Sequence, residues 1–188
     1  MKNKITAFMG SPRKNHNTEK MLDLFIQKKF SDDDFEKIDL KNLNFKYCIS
    51  CYGCATKPYC IVKDDFTSIY EKIDQSDIVI FATPIYFNSV SALSKMCIDR
   101  MQVYWSRKYI QKEKLPRNKL GIGLINGGAP AHPKQFLGSE LVFDHFFAAI
   151  GCSEYSFYEI SNTDEHPLNK DNQKLLSLLQ SDGGTEEN

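Results

Sequence analysis

Segments with the pattern of strands alternate along the chain with segments that have the pattern of helices. The helix-like segments repeat apolar residues every three to four positions, and they begin near Thr18, Asp64, Ser91 and Lys134. The strand-like segments are short, and one of them, IVIFA, is apolar on both faces, as a central parallel strand is. Five strands are predicted: Ile5 to Met9, Phe35 to Leu40, Ile78 to Ala82, Leu120 to Ile125 and Tyr155 to Ile160.

The alternation predicts parallel strands joined by right-handed helical crossovers. We therefore expect a flavodoxin-like α/β fold, a three-layer α/β/α sandwich around a five-stranded parallel sheet of order 2-1-3-4-5. Residues 1–180 are predicted to form one domain with a cysteine-rich loop insertion at about 46–63. The polar, acidic residues 181–188 are predicted to be a flexible tail.

Charge and hydropathy exclude several classes of partner. Lys and Arg total 24, and Asp and Glu also total 24, so no net field draws the protein to nucleic acid or to an anionic membrane. No apolar run approaches the roughly 20 residues of a membrane span, and the N-terminal stretch is too short for the apolar part of a signal peptide. We expect a cytoplasmic protein with no nucleic-acid or membrane partner, whose thiols stay reduced.

In a doubly wound sheet, ligands bind beyond the carboxyl ends of the strands, which here directs attention to three loops. The first loop, Gly10 to Thr18, leads into a helix N-terminus, where free N–H groups and the helix dipole favour an anion. It lacks the glycines of a dinucleotide fingerprint and the Gly-Lys-Ser/Thr of a triphosphate loop, so its short donors suit a terminal monophosphate. An ordinary polar turn is the alternative. The candidate residues are Ser11, Arg13, Asn15, Asn17 and Thr18.

The second and third loops offer a place for a flat ring. The second loop, Thr83 to Ala92, carries Tyr86 and Phe87 beyond the central strand, where a heterocycle could stack, although such aromatics also pack cores. The third loop, Asn126 to His132, contains two glycines that allow close approach of a ligand, or simply form a turn. The three loops together have the layout of an FMN site. The candidates on these two loops are Pro84, Ile85, Tyr86, Phe87, Asn88, Asn126, Gly127 and Gly128.

Four cysteines lie close together in the sequence CISCYGCATKPYC, separated by two, two and five residues. A disulfide framework is typical of small secreted chains without a large core, which this chain is not. Structural zinc sites generally pair two knuckles across a longer arm. Four thiolates on one tight loop favour a [4Fe–4S] cluster, with zinc or no metal as the alternatives. The candidate ligands are Cys48, Cys51, Cys54 and Cys60, whereas Cys97 and Cys152 are predicted to be buried core residues.

Three stretches together resemble a known family: GSPRKNHNT, CISCYGCATKPYCIVKDDF and TPIYFNSVSALSKMCIDR. They resemble the NAD(P)H-dependent FMN reductase-like flavoproteins and are similar to their iron–sulfur flavoprotein subgroup. The resemblance implies that the first loop holds the FMN phosphate, that the ring lies against residues 84–88, and that the protein is a homodimer or homotetramer with FMN near a subunit boundary.

The predicted function is an FMN-dependent oxidoreductase, an electron-transfer flavoprotein in which a [4Fe–4S] cluster exchanges electrons with FMN. Because FMN carries the hydride step, no catalytic side chain is predicted. The electron donor would be NAD(P)H or a reduced carrier. The alternative is a cluster-free NAD(P)H-dependent FMN reductase that reduces quinones or nitroaromatics. A receiver-type module on the same sheet is disfavoured, because it needs acidic residues after the first strand and the chain has Arg13 there.

Two further segments suggest contact surfaces. Arg107 to Lys119 is strongly basic, which predicts a solvated loop or, as an alternative, a docking patch for an acidic ferredoxin-like carrier or for the extra phosphate of NADPH. Beside it lies an aromatic and apolar group that is a candidate subunit interface. Its members are Met101, Tyr104, Trp105 and Tyr109.

Overall fold

The computed structural model describes residues 2–115 and 118–181, and its centre is a parallel β-sheet. The long strands are β1 (Lys4–Met9), β2 (Asp34–Asp39), β3 (Ile78–Tyr86), β5 (Lys119–Asn126) and β6 (Cys152–Ile160). They pair in parallel in the order β2-β1-β3-β5-β6, which confirms the predicted order. A two-residue strand, β4 (Ser89–Val90), pairs antiparallel with the end of β3 and brings the sheet to six strands.

Helices cover both faces of this sheet. They are α1 (Asn17–Lys29), α2 (Gly53–Thr56), α3 (Thr67–Asp74), α4 (Ala92–Arg100), α5 (Gln102–Trp105), α6 (Leu137–Ile150) and α7 (Gln173–Gln180). The four predicted helices are present, whereas α7 was not predicted. Helix α3 was expected to begin near Asp64 and begins three residues later, at Thr67. Asp64 accepts a hydrogen bond from the Phe66 N–H and forms an ion pair with Arg100. None of the described helices is long and apolar enough to cross a membrane. Beyond residue 181, the predicted tail lies outside the described residues.

The strand side chains divide between two apolar layers, as the period of two requires. On β1, Ile5 and Ala7 pack with residues of α1 and α7, whereas Phe8 packs with residues of α3, α4 and α6 on the other face. The three-layer sandwich is thereby confirmed. Cys97 and Cys152 are both buried, as predicted, on the same face of the sheet as Phe8.

Glu159, near the carboxyl end of β6, lies beside Glu140 in the first turn of α6. Burial, together with the nearby carboxylate of Glu140, raises the pKa of Glu159 from its ordinary value of 4.5 to about 8. One carboxylate oxygen of Glu159, Oε1, is buried and has no hydrogen-bond partner among the described residues. The folded protein therefore holds a proton on Glu159 at pH values where the unfolded chain has lost it.

This proton makes stability fall as the pH rises. Below pH 4.5 Glu159 is protonated in both the folded and the unfolded protein, and the free energy of unfolding has its full value. As the pH rises from 4.5 towards 8, the unfolded protein loses this proton before the folded protein does, so the free energy of unfolding decreases. We expect Glu159→Gln to increase the free energy of unfolding by about 1 kcal/mol above pH 8, after allowance for partial exposure, and to change it little below pH 4.5. Denaturant unfolding across this pH range measures the effect. Glu154→Gln, exposed on the same strand, is the control; the same pH profile in both variants would contradict the assignment.

Candidate functional site

The first loop connects β1 to α1 and presents donors at the helix N-terminus. His16 is the N-cap residue, and its side chain makes no capping hydrogen bond. The first backbone N–H groups of a helix have no intrahelical partner, so at α1 they remain available to an anion. Ser11 is buried, and its Oγ accepts a hydrogen bond from the Arg13 N–H (3.1 Å). Arg13 and Asn15 are exposed, and Asn15 has a left-handed backbone (φ 57°).

The other two candidates on this loop are hydrogen-bonded within the protein. The Thr18 hydroxyl donates to Asn126 Oδ1 (2.7 Å). The Asn17 side chain donates to the Thr163 carbonyl (3.0 Å) and accepts from the Leu168 N–H (2.9 Å). Their side chains therefore fix the start of α1 against the third loop and against residues 163–168, a contact that the sequence did not predict.

A buried hydroxyl network joins the first loop to the second. The Gly10 carbonyl accepts hydrogen bonds from Ser91 Oγ (2.6 Å) and Ser94 Oγ (3.3 Å), and Ser94 Oγ also lies 2.9 Å from Thr83 Oγ1. The Gly10 N–H donates to the Ala82 carbonyl (2.8 Å). A Cβ atom at Gly10 would lie 2.0 Å from Ser94 Oγ, so only glycine fits. The pattern of the sequence did not predict this network, although Ser91 and Ser94 have the spacing of a helix cap.

The second loop is the tip of the hairpin between β3 and β4. Phe87 (φ 52°) and Asn88 (φ 57°) both have left-handed backbones, as the central residues of a type I′ turn do. Such a conformation strains a residue other than glycine, and strain of this kind concentrates at functional sites. Phe87 is fully exposed and Tyr86 is exposed over 44% of its surface. Pro84 is buried and Ile85 is half-buried behind them. The hairpin thus presents aromatic rings to solvent at the edge of the sheet.

The third loop is packed against a segment that follows β6. The Gly127 carbonyl accepts hydrogen bonds from both the N–H and the hydroxyl of Thr163 (3.0 Å each). A Cβ atom at Gly128 would lie 2.3 Å from Asp164 Oδ2. The Asp164 side chain therefore packs directly against Gly128, and this contact requires a glycine there whether or not a ligand is bound. His132 is exposed at the far end of the loop, with its Nδ1 atom 3.2 Å from the Pro133 carbonyl.

These contacts bring all three loops together at the carboxyl edge of the sheet. The pair Thr18–Asn126 joins the first loop to the third, and the network around Gly10 joins the first to the second. Pro84 and Asn126 are register partners on β3 and β5, which joins the second to the third. The loops that carry the helix donors, the exposed arginine and the exposed aromatic rings are therefore neighbours. This set of groups fits a ligand with one phosphate and one flat ring.

The four clustered cysteines lie around a separate cavity of about 70 Å³. All four are free thiols. Ser50 (φ 53°) and Tyr52 (φ 57°), on either side of Cys51, have left-handed backbones that bend the loop. The Cys54 thiol lies 3.3 Å from Ser106 Oγ, in a π-helical turn (Ser106–Ile110), and turns of this type are frequent at functional sites.

The thiols surround the cavity and do not meet at one point. In the part of the chain that the structure describes, no three Cys, His, Asp or Glu side chains converge closely enough to hold a single metal ion. A [4Fe–4S] cluster would take one thiolate at each of four iron atoms, so it does not require the four thiols to meet at one point.

Comparison with known proteins identifies the family. Residues 3–137 match the family profile of NADPH-dependent FMN reductases. The chain belongs to this family. It is 36% identical over 136 residues to an iron-sulfur flavoprotein of Archaeoglobus fulgidus, a match that covers 72% of this chain and 59% of that protein. It is 31% identical over 127 residues to an iron-sulfur flavoprotein of Methanosarcina thermophila, covering 67% and 64%. The chain thus spans about three-fifths of the length of these relatives, and the resemblance noted in the sequence is confirmed.

Solved structures agree with the FMN reductase assignment at the level of the fold. An NAD(P)H:quinone oxidoreductase from Methanothermobacter marburgensis superposes with a TM-score of 0.69 over 95% of this chain and 92% of that one. The two sequences are only 13% identical, so this likeness concerns the fold alone.

Of the four residues predicted to form an aromatic and apolar interface group, two are exposed. Met101 and Tyr104 are buried in the core, where they pack with residues of α3, α4 and α6. Trp105 and Tyr109 are exposed, and their ring centroids lie 5.5 Å apart. The prediction that all four residues form one surface is therefore wrong.

The basic segment, Arg107 to Lys119, exposes less positive charge than its sequence suggests. Arg107 forms two 2.8 Å hydrogen bonds with Glu113 and one of 3.2 Å with Asp74, and Lys119 is buried in β5. Residues 116 and 117 lie outside the described residues. Lys112 and Lys114 are exposed, and Lys108 lies over the Tyr109 ring. The segment is thus partly neutralised by its own acidic neighbours.

Proposed function

We propose that the protein is an FMN-dependent oxidoreductase that transfers electrons between FMN and a [4Fe–4S] cluster. One observation carries the proposal: this member of the FMN reductase family has both three loops that meet at the switch point of the sheet and four thiols around one cavity. The cytoplasm is the proposed location, because the thiols must stay reduced to ligate iron.

The first loop would hold the phosphate of FMN. Arg13 is exposed and can neutralise it, and the backbone N–H groups of α1 can donate to it. Ser11 and Asn15 shape the loop, whereas Asn17 and Thr18 fix the helix start through their bonds to the rest of the protein. These residues bind and orient the phosphate, and none of them takes part in the chemistry.

The second and third loops would hold the ring. Tyr86 and Phe87 offer apolar faces, and Pro84 and Ile85 support them from the end of β3. Asn88 would bond the polar edge of the ring. Asn126, Gly127 and Gly128 would form the opposite side, held in position by residues 162–164. When bound, FMN supplies hydride and single-electron chemistry.

The cysteine loop would hold the cluster through Cys48, Cys51, Cys54 and Cys60. When bound, such a cluster carries one electron at a time. The chain would hold the four thiolates, and the apolar residues Ile61, Val103 and Ile110 line the cavity around them. A protein with both groups can convert between hydride donors such as NAD(P)H and one-electron carriers.

The partners follow from the same chemistry. We propose a homodimer or homotetramer with Trp105 and Tyr109 at a subunit boundary, and a ferredoxin-like carrier that docks near the exposed lysines Lys112 and Lys114. An acidic carrier should reduce the protein more slowly as salt is added, since surface charges are screened. A rate that does not change with salt would contradict this docking site.

A cluster-free NAD(P)H-dependent FMN reductase acting on quinones or nitroaromatics is the second candidate. It is favoured by the match of residues 3–137 to the profile of NADPH-dependent FMN reductases. The two candidates share the FMN site and differ only in the cysteine cavity.

Protein purified without oxygen separates the two. We expect FMN bands together with a broad brown absorption that bleaches on reduction, and about four iron and four sulfide per chain. FMN bands without iron, in protein that still oxidises NAD(P)H, would favour the second candidate. A colourless protein that does not bind added FMN would contradict both.

A further inference from the structure

Arg100, the last residue of α4, is buried and lines the cysteine cavity. Its side chain is only 1% exposed. The guanidinium forms a two-pronged pair with Asp64, with 2.7 Å between Nη1 and Oδ2 and 3.2 Å between Nη2 and Oδ1. It also lies over the Phe66 ring, 5.0 Å from the centroid. A charge so completely removed from water needs partners that satisfy it, and Asp64 supplies only some of them.

The same pair ties together the two ends of the cysteine loop. Arg100 Nη1 donates to the Lys46 carbonyl (2.8 Å), just before the first cysteine, and Nη2 lies 3.5 Å from the Val62 carbonyl, just after the last. Asp64 Oδ2 accepts a hydrogen bond from the Lys46 N–H (3.0 Å). All four cysteines lie between these anchor points, so the pair closes the base of the loop and holds both ends against α4.

One donor of Arg100 is left over. Its Nε–H group is buried and has no hydrogen-bond partner within residues 2–115 and 118–181. The neighbouring Tyr70 hydroxyl donates to the Arg100 carbonyl (3.1 Å). Arg100 and Cys60 line the same cavity. A buried unpaired donor is unfavourable, and such groups in folded proteins call for an explanation such as a bound ligand.

We propose that Arg100 is a positioning residue of the cysteine cavity: it closes the loop through Asp64, and its Nε–H donates a hydrogen bond to a sulfur atom of the bound cluster. The proposal rests on the cluster of the proposed function. Hydrogen bonds to the sulfur atoms of such a cluster stabilise its reduced, more negative form and so raise its reduction potential. Arg100 would thereby set both the shape of the site and its potential.

Arg100→Lys tests the donor while it retains a charge opposite Asp64. We expect the variant to keep FMN and to bind a cluster whose reduction equilibrium is at least tenfold less favourable, a shift of about 59 mV to more negative potential for one electron. The midpoint potential is measured by anaerobic redox titration followed by electron paramagnetic resonance. Arg107→Lys is the matched control, because Arg107 is also paired with carboxylates but does not line the cavity.

Arg100→Gln combined with Asp64→Asn tests the closure of the loop. Both charges are removed together, so no unpaired charge is left in the core. We expect this variant to lose most of its iron and sulfide while its FMN content stays at the level of the unchanged protein. Loss of iron without loss of FMN in Arg100→Lys would also support the closing of the cysteine loop by Arg100.

The following results would overturn the proposal. A midpoint potential in Arg100→Lys equal to that of the unchanged protein would exclude the hydrogen bond, and full iron content in the double variant would exclude closure. Loss of FMN and iron in proportion would show that Arg100 supports the fold in general. Absence of a cluster in the unchanged protein would instead defeat the proposed function on which the inference rests, and iron analysis of that protein alone distinguishes this case.

Discussion

Replacing Gly10 with alanine is expected to weaken FMN binding by about tenfold or more, equivalent to roughly 1.4 kcal/mol. A Cβ atom at this position would lie 2.0 Å from Ser94 Oγ and 3.0 Å from the Ala82 carbonyl oxygen. The clash cannot be relieved locally, because hydrogen bonds hold the Gly10 N–H to Ala82 and its carbonyl to Ser91. The start of the first loop, which carries Arg13, must therefore move. Fluorescence titration of the FMN-free protein with FMN measures the change in affinity.

Two variants show whether the effect is specific to the site. Gly10→Ala with Ser94→Ala removes the nearest clashing atom and should recover part of the affinity. Gly121→Ala places a Cβ atom 2.6 Å from the Phe147 ring, in the core below α6, and should cost about 1–3 kcal/mol of stability without changing the FMN affinity of the folded protein. Unchanged affinity in Gly10→Ala would show that the first loop does not hold the phosphate.

Changing any one of the four clustered cysteines to serine is expected to remove most of the iron and sulfide while FMN stays bound. The four thiols line one cavity, and soft thiolates are the ligands that iron–sulfur clusters require. The FMN loops lie at the carboxyl edge of the sheet and share no residue with this cavity. Iron, sulfide and FMN analyses of anaerobically prepared protein give the ratio directly.

The two remaining cysteines provide matched controls. Cys97→Ala and Cys152→Ala remove thiols that are buried in the core and do not line the cavity. Each should cost about 1 kcal/mol of stability and leave the iron content unchanged. If Cys51→Ser kept its full iron content, the cavity would not be a four-cysteine cluster site, and the cluster-free reductase would become the better description.

The predicted elements that proved accurate are those with a strong local period. The five long strands and the four predicted helices follow from runs of apolar residues that any window of the chain reveals. The hairpin strand β4 was missed because its turn, Phe87-Asn88, lacks the glycine that usually marks a type I′ turn. Helix α7 was missed although Asn172 caps it and Leu175, Leu178 and Leu179 form its buried side.

Surface assignments were less accurate, because exposure depends on which way an element faces. Met101 and Tyr104 lie beside Trp105 in the sequence but point into the core. Arg107 belongs to a basic run, yet in the fold its charge is matched by Glu113 and Asp74, a residue of α3 far earlier in the chain. The basic run predicted a solvated loop or, as an alternative, a docking patch; in the fold Arg107 is neutralised, and the exposed charge that remains is that of Lys112 and Lys114.

The sequence alone determined the class of fold, the three loops at the edge of the sheet and the cysteine set, since each depends on residues that are neighbours along the chain. The tertiary structure alone decided how these parts are held together. Thr18 forms a hydrogen bond with Asn126, 108 residues away in the sequence, and Arg100 pairs with Asp64, 36 residues away. Such pairs depend on the register of the strands and on the direction of each crossover, and no local pattern of apolar and polar residues contains that information.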